Sequence, residues 1–522
     1  MDMCINSRLR NFHQAKWDEQ IIFELSNKGE RGIIAPEAEE EIQKVVGDGV
    51  SVLPEKMRRK TLPALPEICQ MRVLKHFLRL SQHVLGADLN VDIGQGTCTM
   101  KYSPKINETI ASSPKATQLH PYQDEDTVQG ALEVIYKLDT FLRQISGMDQ
   151  FSFQPPSGSA AIFTMASIVR KYFEVKGEAD RRNEIITTIF SHPSDYAAAT
   201  VKGFKVINIC HNPETGLPDL QAIREVASSK TAGIFITNPE DTGIFNPYID
   251  EITRIVHAAG GLCGYDQANA NGILGVTRAK EAGFDMCFFN LHKTFSTPHG
   301  CGGPATGALG VTRRLVDFLP VPLVKFDGKK YSLNYKLKHS IGKVRSFHCV
   351  FPVVLKAYAW VMSLGREGLR EVARIAVLNN NYLLENIKKI RGASVPFAEG
   401  KHRIEQVRYS WEQLHRDTGV TTEDVALRMA DYGFHLWSSH HPFVVPHPFT
   451  IEPTEAYSKD ELDEYLNALR QISQEAYADP QVVKTAPHRS VVHRIDHSWF
   501  DDPKKWAITW RAYLKKHGSK NA

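Results

Sequence analysis

Between about residue 130 and residue 315, short apolar runs rich in β-branched and aromatic residues alternate with helical patterns. The runs are EIITTIF (184–190), FKVINIC (204–210), TAGIFIT (231–237), GLCGY (261–265) and DMCFFN (285–290). They show little polar–apolar alternation, which predicts strands covered on both faces. Helical spacing fills several of the gaps, as in DLQAIREVASS (219–229) and YIDEITRIVHAAG (248–260). Strands bracketed by helices predict an α/β fold with a parallel sheet, whose ligands bind at the carboxyl ends of the strands. A long helix is predicted from residue 366, through GLREVARIAVLNNNYLLENIKKI. The region 400–510 mixes strand-like and helical pieces, as a smaller α+β domain would. Before residue 90, Val73, Leu74, Phe77, Leu78 and Leu80 recur at helical spacing within MRVLKHFLRLSQHVL. The expected organisation is an N-terminal extension (1–90), a large domain (91–345) and a small C-terminal domain (346–522).

Composition narrows this picture. The chain has 522 residues, 42% hydrophobic and 23% charged, an ordinary globular balance. Lys plus Arg (63) barely exceeds Asp plus Glu (59), so no nucleic-acid footprint is expected. Mean hydropathy is −0.30 and no apolar run approaches the roughly 18 residues of a membrane span. The eight cysteines are scattered without a C-x-x-C, which argues against a disulfide framework or a zinc site. The first residues, MDMCINSRLRNFHQAKWDEQ, lack the apolar core of a signal peptide. A soluble cytoplasmic protein with no membrane or nucleic-acid partner is expected. The basic run EKMRRK (55–60) reads as a solvated face.

The polar segments after the runs are SHPSDY, TNPEDTG, DQANANG and NLHKTFSTPHG. Turns need Gly, Asn, Asp and Pro, but not His or Lys. Lys293 follows one predicted strand and Asp266 ends an earlier one. That arrangement is used by pyridoxal-phosphate enzymes: the lysine forms a Schiff base with the cofactor aldehyde, and the acid keeps the pyridine nitrogen protonated. His192 follows a third strand, where an imidazole can stack on the ring. Ser157-Gly158-Ser159-Ala160 opens the predicted helix AAIFTMASIVRKYF, whose first amides can cradle a phosphate. Alone, each has a plainer reading: a surface lysine, a turn carboxylate, a core histidine, loop punctuation. Their order along the chain favours the cofactor. GCGGPATG (300–307) lacks the strand-to-helix context of a dinucleotide loop. His435, His440, His441 and His447 read as a Pro-rich loop, and no metal site is expected.

With NLHKTFSTPHG, the segments IFELSNKGERG (22–32), CTMKYSPKINE (98–108), LHPYQ (119–123), GYDQANANGILG (264–275), IEPTEAYSK (451–459) and DPQVVKTAPH (479–488) make the chain recognisable. From about residue 20 to about 510 it resembles the glycine dehydrogenase (decarboxylating) P-proteins, in the subunit 2 form. The resemblance implies fold type I, the aspartate-aminotransferase-like fold with a mostly parallel, seven-stranded-type sheet. It implies pyridoxal 5'-phosphate on Lys293, Asp266 at the pyridine nitrogen and His192 on the ring. Gly158, Ser159, Ala160, Thr237, Ala268, Asn290 and His292 are the further cofactor-binding candidates. It also implies a dimer, either of this chain or with a lysine-less P-protein-like subunit, and a lipoyl H-protein as acceptor.

Departures from the family pattern cluster in these segments. His-Gly-Thr-Asn-Pro is here His192-Pro193-Ser194-Asp195-Tyr196. Gly-Ala-Gln-Gly-Glu is Gly158-Ser159-Ala160-Ala161-Ile162. Thr-Leu-Gly is Asp241-Thr242-Gly243, Asp-Gly-Ala-Asn is Asp266-Gln267-Ala268-Asn269, and Gly-Asn is Cys349-Val350. Cys301 interrupts the glycines after the lysine loop. They lead to the expectation of an enzyme diverged to a larger amino acid and C–C bond chemistry. The alternatives are glycine decarboxylation with transfer to H-protein, and a silent scaffold subunit; retention of Lys293, Asp266 and His192 argues against the last.

Overall fold

Seven strands form the central sheet: β1 (Gln150–Ser152), β2 (Glu184–Thr188), β3 (Lys205–Ile209), β4 (Thr231–Thr237), β5 (Leu262–Gln267), β6 (Met286–Asn290) and β7 (Gly307–Val311). They come from a computed structural model describing residues 8–33, 36–61, 63–86, 89–94, 98, 101–299, 305–436 and 444–518. Their order is β1-β7-β6-β5-β4-β2-β3. All run parallel except β7, which is antiparallel to both β6 and β1.

The unbroken apolar runs have their reason here. Alternate residues enter two different cores: Cys287 and Phe289 pack on one face of the sheet, and Met286 and Phe288 on the other. The helices Gln129–Ser146 and Ile249–Ala258 cover the first face, and Gly158–Val175 the second. β3 lies at the edge with Lys205 exposed, a charge that discourages pairing with another chain.

A third core belongs to a smaller α+β layer. There the strands Val407–Ser410 and Pro448–Ile451 pair antiparallel beside the helix Lys459–Ala478. Ser458 and Glu461 form a reciprocal cap at the start of that helix. The helix Phe351–Ile387 joins the layers: its early residues enter the first sheet core, and Leu383, Leu384 and Ile387 enter the third. It starts some fifteen residues before the position predicted from periodicity. Gly365, at φ 62° and ψ −176°, breaks its regularity, and that break masks the first half in the sequence.

The chain falls into two compact units, 1–11 with 86–486, and 12–85 with 487–522. Residues 487–518, expected with the C-terminal domain, therefore group with the N-terminal extension. Within this second unit the Gln14 N–H donates to the Arg489 carbonyl at 3.0 Å, and Phe23 stacks on Trp510 at 5.1 Å. Its helix Gln70–Ser81 forms at the predicted spacing, but its apolar residues are largely exposed. Leu74, Phe77 and Leu78 are 60, 55 and 56% exposed, while His76 is buried against Glu19 at 2.8 Å. Among the described residues, no helix is long and apolar enough to cross a membrane.

Candidate active site

The carboxyl ends of the parallel strands gather the predicted chemistry. Asp266 is the penultimate residue of β5, in register with Thr237 of β4 and Phe288 of β6. Its Oδ1 accepts the Ala268 N–H at 2.8 Å. Lys293 follows β6 in a turn closed by its own N–H donating to the Asn290 carbonyl at 3.0 Å. His192 caps the helix Pro193–Val201, its Nδ1 accepting the Ser194 N–H at 3.1 Å, which fixes the ring. Ser157 caps the helix Gly158–Val175 by accepting the Ala160 N–H at 3.1 Å.

One cavity of about 350 Å³ is lined by Lys293, Asp266, His192, Gly158, Ser159, Ala268, Asn290 and His292. Of the remaining candidates, the Ala160 amide is engaged by the Ser157 cap, and Thr237 stands beside Asp266 without lining the cavity. Cys98, Ser194 and His299 line it too, although sequence reasoning gave them no role.

Burial governs the electrostatics. Desolvation, with Lys293 and His299 nearby, pushes His292 down to about 3, so its ring is neutral at physiological pH. Asp195, inside the first turn after His192, is pushed well above the usual carboxylate range by burial and by the charge of Asp266. Two further buried carboxylates, Glu405 and Glu452, which the sequence did not reveal, belong to the electrostatic surroundings of Lys293. Glu405 accepts the Gly272 N–H at 2.7 Å and Glu452 accepts the Asn271 side-chain N–H at 2.9 Å. Burial and then Glu452 raise the Glu405 carboxyl, while Lys293 and Lys101 pull it back. Glu452 belongs to IEPTE; Glu405 carried no local signal.

Several departures from the family pattern turn away from the cavity. Tyr196 is 47% exposed. Cys349 lines a different cavity, beside Phe347 and His120. Asp241 is buried in an ion pair with Arg408. Gln267 is buried beside Tyr265. His447 stacks on His415 with centroids 3.8 Å apart, and the His435 carbonyl accepts the Tyr465 hydroxyl. His440, His441 and Cys301 lie outside the described residues.

The residues suit pyridoxal phosphate. A Cβ on Gly158 would stand 2.7 Å from Asn290 Nδ2, so glycine keeps the helix start open at the cavity wall. Asn290 Oδ1 and His292 Nδ1 are buried there without hydrogen-bond partners. A buried amine, a carboxylate and a helix N-terminus thus face one space.

Comparison with known proteins agrees. The family model for aminotransferase class V matches residues 158–426, and that for the glycine dehydrogenase C-terminal domain matches 372–494. A solved glycine decarboxylase (P-protein) of the glycine cleavage system, in inhibitor-bound form, superposes with a TM-score of 0.69 at 19% identity, covering 84% of this chain and 99% of that one. A NifS-like protein reaches 0.56 at 16% identity, covering 72% and 98%. Fold and site define a pyridoxal-phosphate-dependent enzyme of the aminotransferase-like fold type I. A Pyrococcus furiosus protein named "Probable glycine dehydrogenase (decarboxylating) subunit 2" is 47% identical over 97% of this chain and 99% of its own. One of the same name from Staphylothermus marinus is 40% identical over 97% and 98%. The chain belongs to the glycine dehydrogenase (decarboxylating) subunit 2 family. Nothing in these relatives supports the expected divergence to a larger amino acid; glycine decarboxylation is the better supported alternative.

Proposed function

We propose that this chain is the cofactor-bearing subunit of a glycine-decarboxylating enzyme. It works with a lysine-less partner subunit and passes the aminomethyl group to the lipoyl arm of an H-protein. The observation that carries this reading is identity of 40–47% along almost the whole chain with relatives named for that activity. The cavity supports it: about 350 Å³ is near the lower end for ligand sites, and here it must hold cofactor and substrate together.

Bound pyridoxal phosphate supplies an aldehyde that condenses with amines and a ring that accepts electrons from the bond that breaks. Lys293 holds the cofactor through its amine and, once displaced by substrate, moves a proton at the substrate's Cα. Asp266 would accept a hydrogen bond from the cofactor's protonated ring nitrogen. His192, its ring fixed by the Ser194 N–H, would stack on the cofactor ring. The amides of Gly158 and Ser159 receive the phosphate at the helix start.

The partner reading has its own support in Leu74, Phe77 and Leu78, a helix face patterned for burial yet open to solvent in the single chain. A cytoplasmic home goes with both.

The test is exchange of carbon-labelled bicarbonate into the glycine carboxyl, with lipoyl H-protein and the partner subunit present. Wild type should exchange label and show the yellow absorbance of bound cofactor. Lys293→Ala should lose the yellow absorbance and at least about a hundredfold of the exchange, while keeping its circular dichroism. No exchange by the complete wild-type system, or full exchange by the variant, overturns the reading. A spectral response confined to larger amino acids would favour the diverged enzyme instead.

A further inference from the structure

The segment Ala268-Asn269-Ala270-Asn271-Gly272 leaves β5 in a bend and a turn, just past Asp266. Its residues are small or polar, so hydrogen bonds rather than packing have to hold its shape. One set of these bonds runs to the cofactor site. The Ala268 N–H donates to Asp266 Oδ1 at 2.8 Å, and the Ala268 carbonyl accepts the Asn290 N–H at 3.2 Å. The Ala270 N–H donates to Thr294 Oγ1 at 2.9 Å. Asn290 and Thr294 enclose Lys293 in the chain. The segment therefore ties the carboxylate at the end of β5 to the turn after β6 that carries the lysine.

A second set runs to the smaller α+β layer. The side-chain amides of Asn269 and Asn271 both donate to Glu452 Oε1, that of Asn271 at 2.9 Å. Glu452 directly follows the strand Pro448–Ile451 and is fully buried, and its own N–H donates to the Ile93 carbonyl at 3.0 Å. The Gly272 N–H donates to Glu405 Oε2 at 2.7 Å. A Cβ on Gly272 would stand 2.5 Å from Ile404 Cγ2, so glycine is what lets the segment approach this layer. A buried carboxylate oxygen needs donors to replace its lost water. An oxygen that collects two asparagine amides fixes both side chains, and with them the backbone between.

We propose that Glu452 is a positioning residue for Asp266 and Lys293: from the smaller layer, through Asn269 and Asn271, it holds the segment that joins the carboxylate to the turn of the lysine. The inference rests on the cofactor reading of the site. Glu452 does not line the cavity, and it acts on the site through the Ala268 and Ala270 amides. The smaller layer thus takes part in cofactor binding without touching the cofactor.

Two measurements on the full-length protein test this, each with Glu452→Ala, Glu452→Gln and Ser458→Ala. The last removes the cap of Lys459–Ala478 and so weakens the same layer without touching the segment. The first measurement is amide hydrogen exchange on cofactor-free protein, read in peptides covering 266–275 and 288–297. In Glu452→Ala both peptides should exchange about tenfold faster than in wild type, and in Ser458→Ala at the wild-type rate. Unchanged exchange in Glu452→Ala, or an equal acceleration by Ser458→Ala, overturns the proposal. The second is titration with pyridoxal phosphate, followed by visible absorbance. Glu452→Ala should bind about tenfold more weakly than wild type. Glu452→Gln, which keeps an acceptor oxygen for the two asparagines, should bind within about threefold. Equal binding by the alanine variant overturns the proposal, as does a glutamine variant as weak as the alanine one. Should Glu452→Ala fail to fold, Asn271→Ala removes one of the same bonds from its other end and takes its place in both measurements. If wild type forms no yellow adduct, the cofactor reading itself has failed, and the exchange rates still report whether Glu452 holds the segment.

Discussion

Asp139 shows at the scale of one side chain how burial sets a pH dependence. It belongs to the buried side of the helix Gln129–Ser146, where Oδ1 accepts the Phe151 N–H at 2.7 Å and Arg143 stays 3.7 Å away. Burial outweighs both helpers and pushes it up to about 7 from an ordinary 3.8. The folded state therefore holds a proton that the unfolded chain releases between pH 4 and 7. Stability from this group is full below pH 4 and is lost as pH rises through 7, on the order of 4 kcal/mol across the window. Urea melts of wild type and Asp139→Asn at pH 5 and pH 8 check this: the variant should gain relative to wild type as pH rises. An unchanged difference would mean that Asp139 is ionised throughout. At this scale the meeting of Lys293, Asp266 and His192 in one cavity was legible because turns have no need of such side chains. Tyr196 was misleading because successive helical residues point about 100° apart, so Asp195 faces inward and Tyr196 faces water. Glu405 was illegible because it lies more than a hundred positions after Lys293, in a segment with no motif of its own, and only the fold brings its charge to bear on the lysine.

Among the elements, the sheet was the easiest to read and the long helix the hardest. Strands covered on both faces leave continuous apolar runs, whereas the three-residue β1 is too short to show any pattern. The helix Phe351–Ile387 was half hidden by Gly365, whose backbone sits at positive φ with ψ near 180°, a region almost closed to other residues. Apart from the adjoining helix backbone, no atom lies within 4 Å of a Cβ built there. Gly365→Ala thus tests the backbone alone and should cost about 1–3 kcal/mol. Its effect should appear as an earlier thermal transition. A variant as stable as wild type would show that the break relaxes into regular helix at no cost.

The whole molecule shows what no local pattern predicts: a helix with apolar spacing whose apolar side chains stay in water. Periodicity identified the helix Gln70–Ser81, but periodicity does not say which chain does the covering. If the cover is a partner subunit, the chain purified alone should self-associate. Replacing Leu74, Phe77 and Leu78 by serine should restore a monodisperse peak in size-exclusion chromatography and remove partner binding, with the yellow absorbance retained. A wild-type chain that is monodisperse by itself at high concentration would overturn that expectation. The same three side chains have a consequence in the cell. A copy made in excess of its partner displays the kind of surface that chaperones and proteases take for a misfolded protein. Matched synthesis of the two subunits would then be enforced after translation, by destruction of whichever copies remain unpaired.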